Sequence, residues 1–152
     1  MLLNFGALVV ALVLAQEPSP LSLFVYSRDT LHGFKDEFLD TFRRELGKHV
    51  ESFTEVAYSR EEAQVSVQFL GRGDLEVELG DAGEPLRYLW RTDENAPRTW
   101  ALVRVARKGQ LSQLGVFSKE FSVDGGGGRD LNRLGKSIAD WIRENASAIR
   151  DR

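Results

Sequence analysis

The sequence predicts an α+β domain: a mostly antiparallel sheet of five to six strands with two amphipathic helices packed on it as a second layer. Two segments, Leu31 to Val50 and Leu131 to Ile149, repeat apolar residues at helical spacing. Between them lie short runs in which apolar and polar residues alternate, the mark of half-buried strands. The composition suits one globular unit, with 152 residues, 42% of them hydrophobic and 28% charged. A chain of that size can bury a sufficient core without staples.

The first fifteen residues, "MLLNFGALVVALVLA", hold no charged side chain. The apolar run from Phe5 to Leu14 has the length of a signal-peptide core and is too short for a bilayer, which takes about 20 residues. Val13 and Ala15 supply small residues before a cut between Ala15 and Gln16. The start departs from the usual signal in lacking Lys or Arg. Residues 1–15 are therefore expected to be a signal peptide, 16–20 ("QEPSP") a linker and 21–152 one domain. Secretion or a periplasmic location follows. The chain has no cysteine, which removes disulfides, thiol nucleophiles, thiolate metal sites and a lipid-anchored N-terminus. A net charge of -3 gives no reason to expect nucleic acid as a partner.

The domain opens on "LSLFVYS", Leu21 to Ser27, a buried strand by its apolar run. Asp29 or Thr30 caps the first helix, whose stripe is Leu31, Phe34, Phe38, Phe42 and Leu46. "FTEVAYS" is a second strand, so strand, helix and strand form a crossover unit. Ser59 and Glu62 have capping-box spacing over a short turn. "VSVQFLGRGDLEVEL" reads as a hairpin with Gly71-Arg72-Gly73-Asp74 as its turn. "LRYLWRT" reads as an edge strand. "TWALVRVARKG" and "LGVFSKEFSV" form a further antiparallel pair. A helix from about Asp130 to Ile149 closes the chain, with Leu131, Leu134, Ile138, Trp141, Ile142 and Ile149 on one face.

Several local patterns imitate functional motifs. "GGGGRDLNRLGKS" ends like a phosphate-binding loop, but that loop needs a glycine five residues before Gly135, and Asp130 stands there. The apolar stripe also places Gly135-Lys136-Ser137 inside the helix, with Lys136 facing water. Gly125, Gly126, Gly127 and Gly128 read as a connector into that helix. With Arg129 beside them they are an anion-binding candidate, which Asp130 opposes. Arg72-Gly73-Asp74 is a cell-adhesion tripeptide at the expected hairpin tip, although Gly and Asp also suit any tight turn. His32, Asp36 and Asp40 share one row of the first helix. Arg43 joins that row and opposes a cation, so a solvated surface is expected. Asn145-Ala146-Ser147 fits the glycosylation pattern but falls near the apolar face. Trp90, Trp100 and Trp141 are expected in core or edge packing.

Hydrolase signatures such as G-x-S-x-G and H-E-x-x-H do not occur, and both histidines, His32 and His49, fall on one helix. "EEAQVSVQFLGRG" behind an amphipathic helix, with "WIREN" in the closing helix, resembles small secreted bacterial proteins of unknown function. The element order resembles the N-terminal α/β domain of periplasmic TolB-type proteins. That resemblance implies an envelope-located interaction module and transfers no functional residue. The expected function is non-catalytic binding of a protein or envelope component, with no cofactor, metal or nucleic acid and no transmembrane segment in the mature chain. The alternative is a small hydrolase or anion-binding protein using carboxylates or Gly125–Gly128.

Overall fold

The structure is a computed structural model that describes residues 17–27, 37–82, 85–105, 113–120 and 126–151. The expected signal segment, with Ala15 and Gln16, lies outside them. The elements are β1 (Leu21–Ser27), α1 (Glu37–Val50), β2 (Thr54–Val56), β3 (Val65–Leu79), β4 (Pro85–Thr92), β5 (Arg98–Val105), β6 (Gln113–Glu120) and α2 (Gly126–Arg150). The main sheet runs in the order β2-β1-β3-β5-β6, and β4 pairs with β3 off that path. This is the expected two-layer α+β sandwich, with a mixed sheet.

The parallel part follows from the first helix. β1 pairs in parallel with both β2 and β3. A parallel return needs a crossover, and α1 supplies it between β1 and β2. β3, β5 and β6 then pair antiparallel.

Side chains alternate across a strand, so one face of the sheet carries Leu21, Leu23, Val65, Val67, Phe69, Ala101, Val103 and Val105. Both helices cover that face. α1 contributes Leu39, Phe42, Leu46 and Val50; α2 contributes Leu131, Leu134, Ile138, Ala139, Ile142 and Ile149. Phe42 stacks on Phe69 with ring centroids 4.8 Å apart. Phe38 leaves the expected stripe: it is 63% exposed, and Leu39 takes the buried position. Leu31 and Phe34 fall outside the described residues.

The helices meet at Gly135. A Cβ built there would lie 3.0 Å from Leu46 Cα and 3.1 Å from Leu46 N. The glycine of the apparent nucleotide motif is thus the point where one helix backbone touches the other. Beside it, Asn132 Nδ2 donates to Glu45 Oε2 at 2.7 Å, and Lys48 Nζ lies 2.9 Å from Glu45 Oε1. These hydrogen bonds hold the buried Glu45 carboxyl below the usual glutamate range, against the desolvation that pushes it up. Farther along, Arg143 Nη2 donates to His49 O at 3.2 Å, and its guanidinium sits 4.9 Å over the Phe53 ring.

Two expectations change here. The sequence "VSVQFLGRGDLEVEL" forms one fifteen-residue strand, β3, and no hairpin. Glycine serves a bulge instead of a turn: the β3–β5 register slips between Phe69 and Gly71, and Gly71 takes φ +82°. The closing helix starts at Gly126, so Gly126–Gly128 are helical and do not form a loop before Asp130. Gly125 lies outside the described residues.

Candidate interaction ribbon

Beyond Arg72, β3 leaves the main sheet and pairs with β4. The ladder runs from Gly73↔Thr92 through Asp74↔Arg91, Leu75↔Trp90, Glu76↔Leu89 and Val77↔Tyr88 to Glu78↔Arg87. A bulge follows between Glu78 and Leu79. The expected edge strand is therefore present, with β3 as its pairing partner.

Alternation splits this ribbon into two faces. Leu75, Val77, Tyr88 and Trp90 share one face and are half-buried. Asp74, Glu76, Glu78, Arg87, Leu89 and Arg91 share the other and are exposed.

A bulge bends a strand and sharpens its twist, and the one between Phe69 and Gly71 stands just before β3 passes from the main sheet into the ribbon. Burial pushes the Tyr88 hydroxyl above its usual range, with Arg104 pulling the other way. Tyr26, Ser66 and Leu102, on the face of the main sheet opposite the helices, are buried. Where the ribbon begins, close contacts leave room only for glycine. Trp100 Nε1 donates to Gly73 O at 2.9 Å, and a Cβ at Gly73 would run into the Trp90 indole and the Arg91 carbonyl.

What remains outward is amphipathic and open-edged. Leu79, Leu86 and Leu89 are exposed by 60%, 62% and 50%. Glu76, Val77, Glu78, Arg87 and Leu89 line a shallow groove of about 220 Å³. Neither β4 nor the β3 segment beyond Gly73 pairs with another described strand, so among the described residues each keeps one edge without a ladder partner. Such an edge is a template for another strand.

The residues singled out in the sequence fall elsewhere or take other roles. Arg72-Gly73-Asp74 is mid-strand, not at a hairpin tip. Arg72 donates from Nη2 to Ala96 O at 2.7 Å, and Asp74 is exposed on the ribbon's charged face. Gly126, Gly127, Gly128 and Arg129 form the first turn of α2, with Gly128 and Arg129 exposed. His32 and Asp36 lie outside the described residues; Asp40 pairs with Arg43 at 3.6 Å. Among the described residues, no group of three or more His, Asp or Glu is arranged to hold a metal ion. Lys136 faces water and binds Asp140 at 2.8 Å, which with Arg143 keeps that carboxyl below its usual range. Asn145 is half-buried and donates to Trp141 O. The tryptophans do not gather: Trp141 meets Phe117 edge-on, while Trp90 and Trp100 meet at Gly73. Ser59 does cap its turn, accepting from the Glu62 N–H at 3.3 Å.

Among the described residues, no helix is long and apolar enough to cross a membrane. No family model and no curated protein matches the chain. It is similar to two solved structures of the PelC dodecamer from Paraburkholderia phytofirmans. One, a point variant, has a TM-score of 0.40 and 9% identity, over 79% of this chain and 86% of that one. The other has a TM-score of 0.39 and 11% identity, over 80% and 89%. At these values the similarity transfers no function.

Proposed function

We propose that the chain is a non-catalytic binding module that works outside the cytoplasm and engages a protein or envelope component through the β3–β4 ribbon. The observation that carries this reading is the ribbon itself. It presents three exposed leucines beside opposite charges, on strands with open edges. Natural sheets usually cover or shorten such edges, and strand addition is a common way for a protein to take up a partner. The uncharged, apolar first fifteen residues support the extracytoplasmic part of the proposal.

Photocrosslinking in the native envelope fraction tests the binding site. A crosslinker replacing Leu89 on the ribbon should give discrete adducts, while one replacing Lys136 on the helical layer should give none. Adducts at Lys136 and none at Leu89 would overturn the assignment. The location is tested separately: protein recovered outside the cytoplasm should begin near Gln16. An intact Met1 on that protein would contradict cleavage.

A further inference from the structure

The ribbon's two strands carry opposite charges on the same outward face. The open β3 edge presents Asp74, Glu76 and Glu78; the open β4 edge presents Arg87 and Arg91 around Leu89. Within one chain these sets already face each other, Asp74 against Arg91 and Glu78 against Arg87, with Arg91 Nη2 3.5 Å from Glu76 Oε1. We propose that the ribbon's occupant is a second copy of this chain, with β4 of one copy pairing antiparallel to β3 of the next in the register the ladder uses internally. The proposal deepens the binding reading above and rests on it.

Charged edges often serve to prevent pairing. An edge that repels every copy must meet its own sign wherever it turns. Here the signs differ, so like edges repel and unlike edges attract. Two β4 edges brought together antiparallel about Leu89 would set Arg87 against Arg91 of the other copy. β4 against β3 instead sets Arg91 by Asp74, Arg87 by Glu78, and Leu89 over the apolar stem of Glu76. Opposite charges placed directly across strands stabilise a pair, and like charges oppose it. The charge pattern therefore selects one contact and rejects two. That contact joins different surfaces on the two copies, so each copy keeps a free edge of each kind. Such a contact extends into a ring or a filament and does not stop at a two-fold dimer.

The test is sedimentation velocity on the full chain over a range of concentration and salt. The wild type should associate reversibly, and more weakly at high salt. Arg87→Gln with Arg91→Gln should weaken association about tenfold, as expected for losing two or three cross-strand charge pairs. The decisive variant swaps the two sets: Asp74→Arg, Glu76→Arg, Glu78→Arg, Arg87→Glu and Arg91→Glu together. It keeps opposite charges both within and between its own copies. It should assemble with itself and refuse the wild type when differently labelled chains are mixed. A wild type that stays monomeric, or free mixing of swapped and wild-type chains, would overturn the proposal. If circular dichroism shows the swapped chain unfolded, the Gln pair and the salt series decide. A monomeric chain whose Leu89 still crosslinks to another protein would overturn self-pairing and leave the binding module standing. A monomeric chain with no Leu89 adduct would overturn both.

Discussion

The two halves of β3 face opposite physical problems. Before Gly71 the strand lies between β1 and β5, beneath two helices, and buries Val65, Val67 and Phe69. From Gly73 on it pairs with β4, and no side chain from Asp74 to Leu79 is fully buried. An isolated two-stranded ribbon is marginal in water, so this one depends on its anchorage at Trp90, Trp100 and Gly73. The first half lies in the hydrophobic core; the second presents its charged face to solvent.

Substitutions should separate the halves, and the largest effects belong to the helix-covered one. Phe42→Ala or Ile138→Ala removes a fully buried side chain and should cost about 3–5 kcal/mol, read as a fall in the denaturant midpoint. Gly135→Val should cost about 1–3 kcal/mol, because the new side chain meets the Leu46 backbone, which has no rotamer to yield. A tolerated valine there would show that the helices are not in backbone contact. Gly71→Ala should cost about 1 kcal/mol through its positive φ. Its structural effect should stay in the ribbon, visible as shifted amide resonances from Gly73 to Thr92 with the core unchanged. At the small end, Leu89→Ser should change stability by less than about 0.5 kcal/mol and yet lower partner crosslinking from a neighbouring ribbon position. A large loss of stability there would mean that Leu89 is structural.

The pH response belongs to the helical half as well. The folded Glu45 carboxyl titrates below its unfolded value, so it contributes stability at neutral pH and above the ordinary glutamate range. That contribution is lost as pH falls through the depressed folded value. Asn132→Ala removes one of the hydrogen bonds that depress it. The variant should differ most from wild type at neutral pH, and the two should converge in acid. A constant difference across that range would refute the coupling.

The layers were legible in the sequence, and the ribbon was not. Leu131, Leu134, Ile138, Ile142 and Ile149 hold a helical period that survives folding unchanged, because it reports burial against a broad sheet. The crossover from β1 through α1 was equally plain. Gly71-Arg72-Gly73-Asp74 misled because a bulge and a turn ask for the same residues: a glycine for positive φ and another where backbone is crowded. Only the register with β5 and β4 distinguishes them, and register depends on partners distant in sequence. Phe38 and Leu39 are neighbours of similar hydrophobicity, so a shift of one position in helix phase exchanged their roles. The glycines from Gly126 to Gly128 have poor helix propensity, yet the long apolar face behind them is continuous with their turn. The open edges were invisible for a further reason: exposure of an edge is a fact about which strands fail to pair.

Native-state hydrogen exchange along β3 tests the division most directly. Amides from Val65 to Phe69 should exchange only through global unfolding, with protection equal to the full stability of the fold. Amides from Leu75 to Leu79 should exchange through local opening, with protection lower by at least about 2 kcal/mol. Equal protection on both sides of Gly71 would show one cooperative sheet and contradict the account of a separable ribbon.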